Sequence, residues 1–285
     1  MKKSLIALAF GTLALGMTEF VMMGILADVA NSLHISIPQA GHLVSAYALG
    51  VTCGAPLLAV AKQFRPKSIL LFLMAFVFVG ALLSATAPNY FVFLLARFIS
   101  GLPHGAYFGV ASIVAVRLAD EGHKTGAVSI MIAGMTVANL LGVPFETALS
   151  AHISWRMPFV IVLFYSLLVI YYIWKWVPRL DATPSNGYKG QFRFLKTRAP
   201  WLILGATMLG NGGVFCFYSY VTPILTREGG IPHEYMSVMM VAAGFGMVVG
   251  NLVSGKLSDK YTPGRVAAVM LLLAFLSLVS IFFFA

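Results

Sequence analysis

Apolar residues in this chain fall in long continuous runs, not in short alternating segments. Nine runs stand out, at about 4–27, 39–61, 68–87, 91–116, 125–150, 157–177, 200–225, 236–256 and 266–285. Each approaches the ~20 residues that a helix needs to cross ~30 Å of hydrocarbon. In that solvent every backbone N–H and C=O must be satisfied within the segment, which favours helices. A barrel would instead show segments of about ten residues with strict alternation. The pattern predicts an all-α, multispanning transmembrane helix bundle.

The connections are short except for 178–199, where Pro178, Pro184, Ser185, Asn186 and Gly187 break any helix. Within it, Phe192, Phe194 and Leu195 alternate with Arg193, Lys196 and Arg198, a pattern suited to a membrane surface. The expected organisation is a six-span N-terminal bundle (1–177), a cytoplasmic linker (178–199) and a partial C-terminal bundle of three spans (200–285).

Composition agrees. The 285 residues are 60% apolar and 10% charged, against about 45–50% and 25% in soluble domains. The net charge of +10 acquires a different meaning once it is placed on the spans. With the N-terminus cytoplasmic, sixteen of the nineteen Lys and Arg residues fall in inside loops and only Arg156 and Arg227 fall outside. That bias is a topology signal for a bacterial cytoplasmic (inner) membrane protein, and it calls for anionic lipid as partner, not nucleic acid. The start Met1-Lys2-Lys3 imitates a signal peptide, but its apolar run continues past Glu19 to Leu26, so a retained span is expected. Cys53 and Cys216 both lie in apolar runs and read as packing residues.

Three ionisable residues interrupt the runs: Glu19, Arg97 and Glu146. A charge at a span centre costs roughly 2.5–3.5 kcal/mol on insertion scales and usually marks an ion or substrate path. With alternating span directions, all three fall at comparable depth in the outer half. Burial favours a neutral acid and a neighbouring guanidinium favours the carboxylate, so such a group can load and release a proton. Glu19 is therefore the expected proton carrier and Arg97 its tuning charge; the alternative is a static pair that fixes packing. Glu146 reads either as a second protonatable site or, the favoured reading, as a residue reaching the outer interface. His104 is a candidate relay, with polar packing the simpler role. Asn139 and Asn211, with Phe215 and Tyr218, are candidate substrate-cavity residues; the aromatics suit stacking and an interfacial belt alike.

The chain also repeats weakly. Ile37-Pro38, then Gly50-x-x-x-Gly54, then a basic turn, is answered by Ile231-Pro232, Gly246-x-x-x-Gly250 and a second basic turn. Small residues four apart let helices approach closely, and parallel repeats build transporters around a site between two halves. Six spans should then answer six, so a chain of nine is expected to be a form cut short after the ninth span.

These residues resemble the major facilitator superfamily, in particular its drug/proton antiporter branch and the arabinose efflux permease (AraJ-type) group. Gly255, Asp259, Lys260 and Arg265 match the family's gate loop, in which the acid caps a helix and pairs with basic residues. Arg97 with Gly101 and Gly105 matches the fourth-span motif of the proton path. Gly134, Gly142 and Pro144 match the fifth-span antiporter motif. The resemblance spans the whole chain. There are departures: the first-half loop Lys62-Gln63-Phe64-Arg65-Pro66-Lys67 lacks the acid often found there, and Glu146 replaces a usual glycine. The resemblance implies a proton-coupled efflux antiporter, a monomer whose partners are protons and a sugar or small amphipathic drug; an inactive remnant of such a transporter is the alternative. No phosphate-cradling loop, hydrolase motif, metal-ligand cluster or cofactor fingerprint appears, so an enzyme is not expected and no cofactor or metal is called for.

Overall fold

The computed structural model describes residues 2–56, 64–121, 123–182 and 196–284, with side chains at all of these except 2, 258, 259, 263 and 281–284. The described residues form helices and turns, with no strand. The spans are α1 (Lys2–Ser32), α2 (Ile37–Gly54), α3 (Pro66–Ala85), α4 (Tyr90–Leu118), α5 (Lys124–His152), α6 (Met157–Trp176), α7 (Arg198–Ser219), α8 (Met236–Lys260) and α9 (Pro263–Phe284). Seven helices among the described residues are long and apolar enough to cross a membrane. The other two spans are α2, which ends just before the undescribed stretch 57–63, and α9. Most observed ends lie within about five residues of those expected from hydropathy; α7 ends at Ser219, six before the expected 225, and the expected end of the second span, 61, lies outside the described residues.

Local chemistry sets the joints. His34 adopts a left-handed φ of 53° and Ile35 N donates to Ala30 O at 3.0 Å, closing α1. Two residues later Ser36 opens α2 with a capping box. Its Oγ accepts from Gln39 N at 3.3 Å and Gln39 Oε1 accepts from Ser36 N at 2.9 Å. Ser36→Ala is expected to lower stability by about 1 kcal/mol, read as a small drop in the thermal midpoint of the solubilised chain.

α5 is not uniform. It runs as α-helix over Lys124–Val137, as a π turn over Ala138–Gly142, and as α-helix again over Val143–His152. Pro144 has no N–H to give the ladder, and the wide turn accommodates that defect. A second π turn, over Ile224–Glu228, follows Val221–Pro223 after α7.

Packing separates the molecule into two apolar cores. One is built around Leu8, Leu15, Leu70, Met74, Tyr107 and Val114, and its fully buried members all lie in the first six spans. The other, toward the C-terminal end of α1, joins Met22, Met23 and Val143 to Tyr218, Val221, Met236 and Met240. The early and late spans thus share a core at one end and not at the other.

Close helix contacts explain the first glycine pair. A Cβ on Gly50 would strike Phe98 O and one on Gly101 would strike Tyr47 O and Val51 N, so α2 and α4 touch backbone to backbone. The matching pair in α8 differs: a Cβ on Gly246 or Gly250 would meet nothing within 4 Å. The expectation that both Gly-x-x-x-Gly motifs seat a neighbouring helix therefore holds for α2 and fails for α8 among the described residues.

Candidate functional site

The α2–α4 contact carries polar residues into the bundle interior. Arg97, on α4, is completely buried. Its Nη1 donates to Thr18 O at 2.7 Å and its Nε to Leu43 O at 3.4 Å. Its guanidinium carbon sits 4.5 Å from the centroid of the Tyr47 ring, within cation–π range. The Tyr47 hydroxyl bonds His104 Nδ1 at 2.8 Å, and His104 Nε2 lies 3.7 Å from Glu19 Oε2. That last separation is too long for a hydrogen bond and is an ion pair only when the ring is protonated, and Glu19 Oε2 has no hydrogen-bond partner.

Glu146 joins this group. Glu19 and Glu146 both lie within electrostatic reach of Arg97, with no direct ion pair between Arg97 and either carboxylate among the described residues. Glu146 is fully buried and neither of its oxygens has a hydrogen-bond partner. The expectation that it reaches the outer interface is overturned: the π turn and Pro144 direct this part of α5 inward. Glu19 and His104 keep 18% and 12% side-chain exposure, whereas Arg97 and Glu146 keep none. Glu19 is thus partly accessible where Glu146 is sealed.

The antiporter-motif positions serve the packing of α5 on α1. A Cβ on Gly134 would overlap Ala9 O and Leu13 N, and one on Gly142 would press on Met17. Pro144 is buried at the start of the second α segment, and its carbonyl accepts from Ser237 Oγ at 2.9 Å.

Beside the charged group lies a cavity of about 820 Å³ between the early and late spans. Its wall includes Asn139, Asn211, Phe215 and Tyr218, the four residues singled out for a substrate cavity. Phe20, next to Glu19 in sequence, lines it too, 5.7 Å from the Phe215 ring and 6.2 Å from Tyr218. Among the described residues no lining residue is acidic or basic. Asn139 Nδ2 donates to Met135 O at 3.2 Å, while Asn139 Oδ1 and the Tyr218 hydroxyl are buried without hydrogen-bond partners.

The described gate-loop residues do not line the cavity, but the recess at Arg265 shares Val266 and Met270 with its wall. Gly255 has open space around it, Lys260 Nζ lies 5.6 Å from the Tyr261 ring centroid, and Arg265 lines a small apolar recess with Leu257 and Val269. The side chain of Asp259, and Lys62 and Gln63 of the first-half loop, lie outside the described residues.

Tyr47 escaped the sequence reading because nothing in an apolar run marks one tyrosine as special. The usable signal was indirect: Gly50 and Gly101 bring two backbones together, and a residue one turn before Gly50 must then face the α4 polar row.

A lipid-dissolved helical bundle, with a largely apolar cavity dotted with amides and hydroxyls between early and late spans and a sealed guanidinium near two carboxylates, defines a membrane transporter fold. The chain belongs to the Major Facilitator Superfamily, whose family model matches residues 8–285. It is 43% identical over 284 residues to AraJ of Escherichia coli (strain K12), covering 99% of this chain and 72% of that protein. It is 37% identical over 270 residues to the inner membrane transport protein YdhP of the same organism, covering 94% of this chain and 69% of that protein. Among solved structures, a bacterial homologue of the human lysosomal transporter Spinster, inward-facing and unoccupied, superposes with a TM-score of 0.74 at 20% identity. That match covers 91% of this chain and 63% of the other, so the chain spans less than two thirds of that protein's length.

Proposed function

We propose that the chain carries the proton-coupling machinery of an efflux antiporter for uncharged small molecules, sugars or amphipathic drugs. The observation behind this reading is the difference in access between the two carboxylates that share Arg97: Glu19 is partly exposed and Glu146 is sealed. Glu19 takes up and releases the coupling proton, with His104 and Tyr47 beside it as relay and support. Arg97 balances whichever acid is ionised, and Glu146 holds the inner reserve of that balance. Movement of one charge across the membrane draws on about 2.3 kcal/mol per 100 mV.

The uncharged wall of the cavity supports an uncharged substrate, because a charged one would enter without a compensating partner. Asn139 Oδ1 and the Tyr218 hydroxyl are free to bond a hydroxyl or amide, and Phe20 and Phe215 offer ring faces to an apolar one. In this reading the chain lies in the bacterial inner membrane with its N-terminus cytoplasmic, as a monomer. It comprises a six-span bundle (1–177), a linker (178–199) and three further spans (200–285). In the same reading the core shared by early and late spans lies at the outer end.

The test is flux in proteoliposomes under an imposed pH gradient, with arabinose and chloramphenicol as probes and a trapped pH dye. Glu19→Gln is expected to cut gradient-driven flux and the accompanying proton movement at least tenfold, about 1.4 kcal/mol. Gradient-driven flux of either probe that survives the substitution unchanged removes Glu19 from the mechanism.

A further inference from the structure

The two ends of the bundle are joined unequally. At the end carrying the C-terminus of α1, three polar contacts tie early spans to late ones, and a fourth, within the early spans, supports one of them. Thr222 Oγ1 donates to Met23 O at 2.5 Å, and Ser237 Oγ donates to Pro144 O at 2.9 Å. The other two meet on Asp28 of α1. Ser150 Oγ, from the last turns of α5, donates to its Oδ2 at 2.5 Å. His233 Nε2, from the short 3-10 turn His233–Tyr235 that precedes α8, lies 3.1 Å from its Oδ1, a charge contact when the ring is protonated, with no hydrogen bond made by Nε2. The Tyr220 hydroxyl, also on the late side, packs where a Cβ on Gly41 of α2 would stand.

We infer that Asp28, Ser150 and His233 form a polar latch that holds early and late spans together at this end. It must part before the cavity can open there. The inference rests on the transport reading above, since only a carrier that exposes its cavity to both sides needs a seal that breaks.

Three features separate a latch from fixed packing. Asp28 is shared between an early partner, Ser150, and a late one, His233, so parting the spans splits the cluster without stranding it: Ser150 stays with the carboxylate. Asp28 and His233 keep 20% and 38% side-chain exposure, so water can replace the lost contact. The sealed Arg97 group has no such recourse, because a buried charge stripped of its partner is strongly penalised. The neighbouring bonds from Thr222 and Ser237 go to backbone carbonyls, so Asp28–His233 is the contact there between two ionisable side chains. These residues act on access and do not touch the cavity; they are positioning residues.

The test is a pulsed-EPR distance distribution between spin labels at His152 and Glu228, exposed positions at this end of the early and late spans. It uses the full 285-residue chain in nanodiscs, with Cys53 and Cys216 replaced by serine. Asp28→Asn and His233→Leu are each expected to raise the ratio of long-distance to short-distance population about fivefold, the scale of a partly exposed ion pair. The double variant should do no more than either single, because one contact is lost only once. Ser150→Ala should move the distribution less, in the same direction. If Asp28→Asn is not recovered as a monodisperse protein, His233→Gln at the more exposed partner gives the same reading. Distributions matching the parent in both single variants, or a double variant whose effect is the product of the two, overturn the latch. Flux in the same preparations keeps the two ideas apart. Unmoved distances with Glu19-dependent flux intact remove the latch alone. Opened distances without Glu19-dependent flux uphold the latch and remove the transport reading.

Discussion

Arg97→Leu is expected to destabilise the solubilised chain by about 3–5 kcal/mol, the usual result of removing one partner from a buried charged group. The side chain is fully buried and its guanidinium supplies hydrogen bonds to Thr18 O and Leu43 O. Those carbonyls lose a charged donor, and Glu19 and Glu146 lose a positive charge within electrostatic reach of both. Arg97→Lys keeps the charge but cannot reproduce the planar fork that reaches two carbonyls from one position, so an intermediate loss is expected. Adding Glu146→Gln to Arg97→Leu should recover a large part of the stability, because the amide needs no counter-charge. Thermal unfolding followed by size-exclusion chromatography measures all three. If the double variant melts no higher than Arg97→Leu alone, Arg97 and Glu146 are not electrostatic partners.

The second large effect needs no charge. Gly101→Ala is expected to cost about 1–3 kcal/mol or more, the range for overfilling a packed interface. The added carbon would overlap Tyr47 O and Val51 N, which are backbone atoms that cannot swing aside. Helices α2 and α4 must separate, and with them the 2.8 Å Tyr47–His104 bond and the Tyr47 ring over Arg97. The variant should therefore impair proton coupling as well as melting temperature. Gly205→Ala on α7 is the control. A Cβ there meets nothing within 4 Å, and alanine is the better helix former by about 1 kcal/mol, so it should be neutral or stabilising. Equal melting temperatures for the two variants would refute the backbone contact.

Glu146 shows where reasoning from one dimension breaks down. Its place near the outer end of a span suggested contact with the interface, since an acid is cheapest there. The alternative, burial beside a guanidinium, depends on the rotation of α5 about its own axis, and the π turn over Ala138–Gly142 alters that rotation. Asp28 and His233 were missed for a related reason. Each lies at a span boundary, where a polar residue needs no explanation, and they are about two hundred positions apart in sequence. Only the approach of the late spans to α1 and α5 makes them partners. Asn139, Asn211, Phe215 and Tyr218 were legible as polar or aromatic residues in the right spans, and the structure adds that they line one hollow.

By itself the sequence determined the solvent, the class of element and the approximate ends of the spans. Transfer of a segment to lipid depends on its summed hydropathy, and helices satisfy their own backbone without reference to neighbours. The tertiary structure decided which ionisable groups are sealed, which face water and which meet across the early and late spans. Those outcomes depend on helix rotation and on distances of a few ångströms between residues remote in sequence. They were set here by close glycine contacts and by π turns, whose consequences appear only when whole helices are packed together.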